Sequence, residues 1–590
     1  MAKDSIEESQ SKLEKTNASV ESVPVKTAGV SETAPEALPV PIVEDTAEVT
    51  VPGERRHIVK SATLVMLGNL GSSLVGMIRQ QVVASLGSSI GAPFTSAISP
   101  AQTFNDFLIN GSINGALIPT FNDYASPEKR DELRRLVFTI VNLVFIIMLV
   151  AAIGFLFISA WFVPNIQVRG YTVQQKLLTI QYARIIFFSL LALGPFAVLQ
   201  AALFARKEFG WPAVATAAYH IGIILGAIVG GILGEHYLGY LGIAFGVLVG
   251  ALGEIALLIP GMRNQRLRYM FVLDLKHPAL RRILKLYAPV AFSFLVSAFF
   301  IFLDQSLASQ TPCLSFPTLH PAEHSCGAAN YLAMRLATTL IQFPGGLVAT
   351  ALSVAVLPTL AEHARSGDNE RFKATLLLGF RLGLLLMIPA AAGLIVLQLP
   401  IVTLIFQHHN YNPYNSAITA IALQNYAYQL PFVAIDQLLL SAFYARKNTI
   451  TPVIVGIISF AGYLSIALPF WQTIGMPALA FANTVQNSLH PIIMLVLLRL
   501  AIGPMRVREV IPAALKILLA TAAMVVVAWG LQVLLGHTQL FSLNHLLGQF
   551  LTVVVVGVVA VGVYIGGVLL LRVEEIGLIK GVVLARLGKR

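Results

Sequence analysis

From about residue 58 onward the chain alternates long apolar runs with short clusters of charge, proline and glycine. The runs are continuous and about 20 residues long, the length an α-helix needs to cross ~30 Å of hydrocarbon. Reading each run to the cluster that breaks it gives fourteen segments: 58–86, 93–123, 135–163, 177–204, 212–234, 239–261, 284–308, 329–362, 374–399, 415–444, 451–471, 475–498, 510–535 and 547–571. Segments 2 and 8 are longer than a bilayer needs, which predicts tilt or projection. Strands of a transmembrane barrel would instead alternate apolar and polar positions over ~10 residues. The pattern therefore predicts an all-α polytopic membrane protein with about 14 transmembrane helices.

Residues 1–56 break the pattern. They are rich in Ser, Glu, Val, Pro and Thr and contain no apolar run, so they read as a solvated, disordered tail. No apolar stretch follows the early lysines, which argues against a signal peptide.

Composition agrees with the segments. Hydrophobic residues make up 56% of the 590 and charged residues only 12%, about half the globular norm of roughly 25%. So few charges cannot cover a soluble surface, which excludes a cytosolic enzyme as the main body. The net charge of +11 would suggest nucleic acid in a soluble protein. Here the basic residues lie between apolar runs, so they report topology and attraction to anionic membrane lipids, and no nucleic-acid partner is expected. With fourteen segments, 33 of the 40 Lys+Arg fall on one side, in the two tails, in the even-numbered connections and, as Lys60, Arg135 and Lys285, at the adjoining starts of segments 1, 3 and 7. Only Arg169 and Lys176 fall on the opposite side, and five, Arg79, Arg184, Arg335, Arg381 and Lys516, lie deeper within segments. By the excess of positive charge on the inner face, both termini are cytoplasmic.

The chain also matches itself at an offset near 240. Phe204-Ala205-Arg206-Lys207 with Pro212 mirrors Tyr444-Ala445-Arg446-Lys447 with Pro452. Pro195-Phe196 mirrors Pro431-Phe432, and Ile118-Pro119-Thr120-Phe121 mirrors Leu357-Pro358-Thr359-Leu360. The repeat pairs segments 1–6 with segments 7–12. Six is even, so the copies are two parallel six-helix lobes related by an axis along the membrane normal. The implied organisation is a tail (1–56), an N-terminal lobe (57–270), a C-terminal lobe (271–505), two appended C-terminal helices (506–575) and a basic tail (576–590). Parallel lobes of this kind carry substrate between them by alternating access.

Ionisable residues inside a membrane cost at least ~2.5–3.5 kcal/mol, which makes each a functional candidate. They are Arg79, Asp106, Arg184, Glu254, Asp304, Arg335, Arg381, Asp436 and Lys516. Arg381, Lys516 and Glu254 lie near segment ends, where long side chains reach the interface, and a structural role is favoured for Arg184. Arg79, Asp106, Asp304 and Arg335 lie in segments 1, 2, 7 and 8, which open the two lobes. A central cavity lined by those segments would contain them, and buried structural ion pairs are the alternative. The planar fork of arginine suits a phosphate or pyrophosphate. Asp304 suits cation coupling, or an ion pair with Arg79 or Arg335. Pro344-Gly345-Gly346 in segment 8 predicts a kink or hinge. Cys313 and Cys326 share one external loop, where a disulfide and two free thiols are both open. No GxxxxGK[ST] loop, catalytic constellation, cofactor site or metal site is apparent. The expected transporter is thus not an enzyme, and its drive is an ion gradient or the membrane potential.

From about 58 to 571 the chain resembles the MurJ (MviN) family of lipid II flippases, within the multidrug/oligosaccharidyl-lipid/polysaccharide exporter superfamily. The resemblance rests on Gly76-Met77-Ile78-Arg79, on Asn110-Gly111-Ser112 through Ile118-Pro119, and on Gln342-Phe343-Pro344-Gly345 through Leu357-Pro358-Thr359-Leu360-Ala361. Arg381-Leu382, Phe406-Gln407 and Phe443-Tyr444-Ala445-Arg446 through Thr451-Pro452 continue it. It implies fourteen helices in a bacterial cytoplasmic membrane. The implied substrate is a polyprenyl-pyrophosphate-linked peptidoglycan precursor, moved outward with Arg79, Arg335, Asn105 and Thr339 as substrate-binding residues. Family arginine positions fall here on Asn105 and Asp106 in segment 2 and on Thr339 in segment 8, with Arg335 one turn from Thr339. The alternatives are transport of another lipid-linked oligosaccharide and a membrane scaffold for cell-wall synthesis proteins.

Overall fold

The structure, a computed structural model of the chain, describes residues 68, 71–106, 117–124, 126–233, 239–321 and 326–576. The 1–56 tail, the Asn110-Gly111-Ser112 stretch, the basic tail from 577 and the side chain of Asp106 lie outside the described residues. Among the described residues every regular element is helical. In chain order the helices of the first half are α1 (71–85), α2 (Ser88–Asp106), α3 (Ile118–Asn122), α4 (Arg130–Phe162), α5 (Val173–Phe187), α6 (Leu190–Ala205), α7 (Gly210–Leu233) and α8 (Gly242–Asn264). Then follow α9 (Pro278–Ser309), α10 (Gly327–Pro344), α11 (Thr350–Ser366), α12 (Asn369–Val396), α13 (Gln398–Phe406), α14 (Pro413–Ala427), α15 (Leu430–Ala445), α16 (Ile450–Phe470) and α17 (Met476–Ile502). The chain closes with α18 (Val510–Gly536) and α19 (Leu546–Leu570).

Helix lies over part of each of the fourteen predicted segments, but several segments are broken. Segment 4 is the bent pair α5–α6, at 41°, and segment 10 is α14–α15. Segment 8 is α10 and α11 joined by a π-helical turn, Gly345–Ala349. By length and composition, eight described helices can cross a membrane in one piece, and nine if α5–α6 is one span. The number fourteen therefore rests on the sequence pattern. The short helix α13 was not among the predicted segments.

The internal repeat is expressed in backbone geometry. Thr172 caps α5 by accepting from Gln175 N, and Asn412, 240 residues later, caps α14 by accepting from Asn415 N. These side chains satisfy amides that a helix start leaves without partners. Both pairs then break, at Phe188-Ser189 and at Tyr428-Gln429. Both end in the same C-terminal cap. Lys207 and Lys447 are left-handed, at φ 60° and 58°, and the next amides, Glu208 N and Asn448 N, donate back to Leu203 O and Phe443 O at 2.9 and 3.0 Å. This six-to-one closure takes up carbonyls at the helix end, and it recurs although a lysine must adopt the left-handed conformation each time.

Buried hydrogen bonds hold the two halves together. Gln167 Nε2 donates to Ser96 O at 2.6 Å and to Gln305 Oε1 at 3.4 Å. Gly170 N donates to Ser309 Oγ at 3.3 Å. A side chain at Gly170 would not fit, because its Cβ would lie 2.0 Å from Ser309 O. The appended helices α18 and α19 pack on each other and on α12 and α13. Their apolar contacts join Leu385 to Ile517 and Val568, and Leu397 to Met524 and Val556. Elsewhere bulky apolar side chains point outward, such as Phe157 and Leu570, at 80% and 85% exposure. Such exposure suits a bilayer and not water.

Candidate functional site

Asp304 on α9 and Arg335 on α10 line one cavity of about 320 Å³. Its remaining walls come from α10 (Tyr331, Met334, Thr338), α14 (Tyr426), α16 (Phe460, Tyr463) and α17 (Asn483, Gln486), together with Phe300 and Ile301 of α9. Aromatic rings build one side. Phe300 stacks on Phe460 with centroids 3.5 Å apart, and Phe460 stacks on Tyr463 at 5.2 Å. Tyr463 OH donates to Asp304 Oδ1. Among the described residues this is the carboxylate's one hydrogen bond, so its other acceptor positions remain free. Arg335 acts on Asp304 through charge without a direct ion pair. A carboxylate, an arginine, an amide pair and three tyrosines around a hollow can receive a small hydrated cation or a polar headgroup. Among the described residues no cluster of three His, Cys, Asp or Glu could hold a metal ion.

This cavity lies wholly among helices of the second half. The central cavity expected from segments 1, 2, 7 and 8 together is not what surrounds Asp304. Where α1 meets α10, Gln80 Nε2 donates to Thr339 Oγ1 at 3.4 Å. Arg79 stands outside the lining, half-buried on α1. Its Nε is buried without a hydrogen-bond partner. Its charge neighbours are Tyr219, Arg335 and His220, and no described carboxylate pairs with it. His220 Nδ1 is likewise buried without a partner. The imidazole reaches α1 because residue 76 is glycine: a Cβ there would lie 3.3 Å from His220 Nε2.

The other candidates divide clearly. Thr339 Oγ1, besides accepting from Gln80, donates to Arg335 O at 3.1 Å, which ties it to the Arg335 turn. Asn105 Oδ1 is buried without a partner at the end of α2, and no described contact joins it to Arg79 or Arg335. Pro344 ends α10, and Gly345 and Gly346 begin the π-helical turn. Cys313 and Cys326 are joined as a disulfide, with Cα atoms 5.0 Å apart. Arg184 donates to Ser159 Oγ at 2.9 Å. Arg381 pairs with Glu575 at 3.4 Å and donates to Glu509 O at 3.0 Å, so it is anchored to the appended end of the chain. Glu254 is buried, with Oε2 lacking a partner. Tyr463, Tyr331, Tyr426 and His220 were missed from the sequence, because a single polar-tipped ring in an apolar run looks the same wherever it points.

A bundle that is helical among the described residues, with broken spans and ionisable groups inside its apolar segments, has the architecture of a polytopic membrane transporter. A family model for lipid II flippase MurJ matches residues 82–556, and the chain belongs to that family. It is 24% identical over 536 residues to the probable lipid II flippase MurJ of Bdellovibrio bacteriovorus, covering 89% of this chain and 97% of the relative. It is 22% identical over 402 residues to the lipid II flippase MurJ of Burkholderia cenocepacia, covering 65% and 73%. Its fold matches a solved lipid II flippase MurJ in an inward closed conformation, with TM-score 0.66 and 20% identity over 85% of this chain and 98% of that one. An inward-facing multidrug resistance MATE transporter matches at TM-score 0.61 and 16% identity, covering 73% and 94%.

Proposed function

We propose that the chain is a lipid II flippase. It carries a polyprenyl-pyrophosphate-linked peptidoglycan precursor across the bacterial cytoplasmic membrane by alternating access, and it catalyses no covalent chemistry. The observation that carries this reading within the family is the uncompensated charge at Arg79. A guanidinium whose Nε is buried with no acceptor among the described residues, and which feels the like charge of Arg335, is costly unless an anion completes it. A pyrophosphate supplies pairs of anionic oxygens that can accept both hydrogen bonds of the planar fork. The lobes in this reading are 57–270 and 271–505, with 506–575 appended and both termini cytoplasmic. Asp304, in its polar hollow, couples the cycle to a cation, and the break at Pro344-Gly345-Gly346 is the hinge of α10 and α11. Membrane lipids surround the bundle, and cell-wall synthesis proteins are its partners in the same reading.

The test is complementation in cells depleted of their own flippase. Arg79→Ala should abolish rescue, at least ~100-fold in colony-forming efficiency, while the protein still elutes as one species in detergent. Arg79→Lys should rescue weakly, because a point charge replaces a fork. Full rescue by Arg79→Ala removes the anchor. A second reading, transport of another lipid-linked oligosaccharide, is favoured by Asn105 and Thr339 standing where family members have arginines. Mass spectrometry of lipids co-purifying with wild type and with Arg79→Ala separates the two.

A further inference from the structure

Asp436 is a carboxylate within the apolar segments that the transport reading leaves unused. It lies on α15, and its Oδ1 is hydrogen-bonded to Nδ1 of His490 on α17. The other ring nitrogen, Nε2, lies 3.2 Å from the carbonyl oxygen of Pro452, in the first turn of α16. The imidazole therefore joins three helices. Both side chains are mostly withdrawn from the surface, at 16% and 18% exposure. None of the three residues lines the Asp304 cavity.

The proton count follows from what each atom can do. A carbonyl oxygen only accepts, so the Pro452 contact requires a proton on Nε2. Two arrangements then satisfy Nδ1. It carries a second proton and donates to an ionised carboxylate, or it is bare and accepts from a protonated Asp436. A bare Nδ1 against an ionised Oδ1 would place lone pair against lone pair. In both permitted arrangements the pair holds one proton more than a neutral imidazole beside a carboxylate.

Tyr444, two turns along α15, lies within electrostatic reach of Asp436. On α16, Gly456 leaves space beside the ring, since a Cβ there would stand 4.0 Å from Nε2. On α12, Lys373 is bonded to Glu370 and Arg381 to Glu575. On α11, Glu362, His363 and Arg365 cluster at the helix end, and on α17, Arg499 lies in the last turn.

We infer that Asp436 and His490 form a proton-binding site in the second half of the protein, and that the bound proton ties α15, α16 and α17 into the conformation seen here. Loss of the proton turns an attractive contact into a repulsive one and frees α17 from the start of α16. Proton occupancy then biases two arrangements of the same helices, the differential binding that any coupled conformational change requires. The partner is a proton and not a metal ion: Nε2 is committed to Pro452 O, Nδ1 and Asp436 Oδ1 stand at hydrogen-bond distance with no room for an ion between them, and among the described residues no third ligand joins the pair.

The proton is read on purified protein in lipid nanodiscs, without substrate, using ¹⁵N-labelled histidine. The His490 signal is the one lost in His490→Gln. At about pH 7 the wild-type ring should show Nδ1 sharing a proton with the carboxylate. In Asp436→Asn it should become an ordinary neutral ring protonated at Nε2. Identical signals in the two proteins overturn the shared proton. The tie is read as the distance between spin labels on exposed positions of α16 and α17, such as Ile450 and Leu500. The distance distribution should change between about pH 6 and pH 8 in wild type and stay fixed in Asp436→Asn. A pH-independent distribution in wild type overturns the coupling. Should Asp436→Asn not fold, His490→Gln carries the same distance test. Neither measurement uses a lipid precursor, so a failed lipid II assignment leaves both outcomes readable.

Discussion

Helices α7 and α8 of the first half and α16 and α17 of the second occupy corresponding places in the repeat, yet they are packed by different means. Between α7 and α8 the contact is backbone to backbone. A Cβ at Gly222 would lie 2.3 Å from Gly250 Cα, one at Gly226 2.4 Å from Gly242 O, and one at Gly246 2.5 Å from Gly222 O. Small residues at four-residue spacing let the helices close completely, which lipid-embedded helices use in place of a hydrophobic drive. Between α16 and α17 side chains hold the helices apart. Phe460 and Tyr463 on one, and Asn483 and Gln486 on the other, line the cavity, and His490 bridges to Asp436 and Pro452. The same frame is thus solid in one half and hollow in the other. Duplication supplies the scaffold, and the choice between glycine and a larger side chain along one helix seam decides which copy has room for polar chemistry.

The sharpest way to break this contrast is to fill the closed seam. Gly222→Val should force α7 from α8 and cost about 3 kcal/mol or more, seen as a large fall in melting temperature by size-exclusion fluorescence. A variant as stable as wild type means the seam is not closed as described. Next comes the chemistry of the open half. Asp304→Asn should keep the fold and the Tyr463 contact but lower ion-driven transport about tenfold, equivalent to about 1.4 kcal/mol, with dependence on the driving ion lost in a reconstituted assay. Transport that keeps its ion dependence removes Asp304 from coupling. Gly456→Ala is expected to act least. The position is helical and open, so the methyl group fits and should stabilise α16 by up to about 1 kcal/mol. A loss comparable to that of Gly222→Val shows that the two seams are alike after all.

Much of the architecture was readable in advance because a bilayer leaves a chain little choice. Without water to satisfy backbone groups, each long apolar run must become helix. The repeat was readable from three short matches, and it reappears in caps and breaks 240 residues apart. The breaks themselves were not predicted. At Tyr428-Gln429 the cause stands two residues on, where Pro431 opens α15 and cannot bond to Ala427 O, the end of α14; Phe188-Ser189 has no such proline beside it. The candidate site was half legible. Asp304 and Arg335 stand out as charges in apolar runs and do share a hollow. Arg79 stands out equally and is not in its lining; it lies on α1, whose Gln80 bonds Thr339 of α10.

What the sequence by itself determined was therefore one-dimensional: which stretches are helical, which ends gather positive charge, and which positions carry an expensive ionisable group. Tertiary structure alone decided which of those groups meet. Tyr463 reaches Asp304 across 159 residues, and His490 reaches Asp436 across 54. Neither pairing leaves a trace in hydrophobic periodicity, since lipid tails and protein interior are equally apolar and an inward face of a membrane helix looks like an outward one. Only the packing of the helices against each other tells a buried tyrosine that bonds a carboxylate from one that faces lipid.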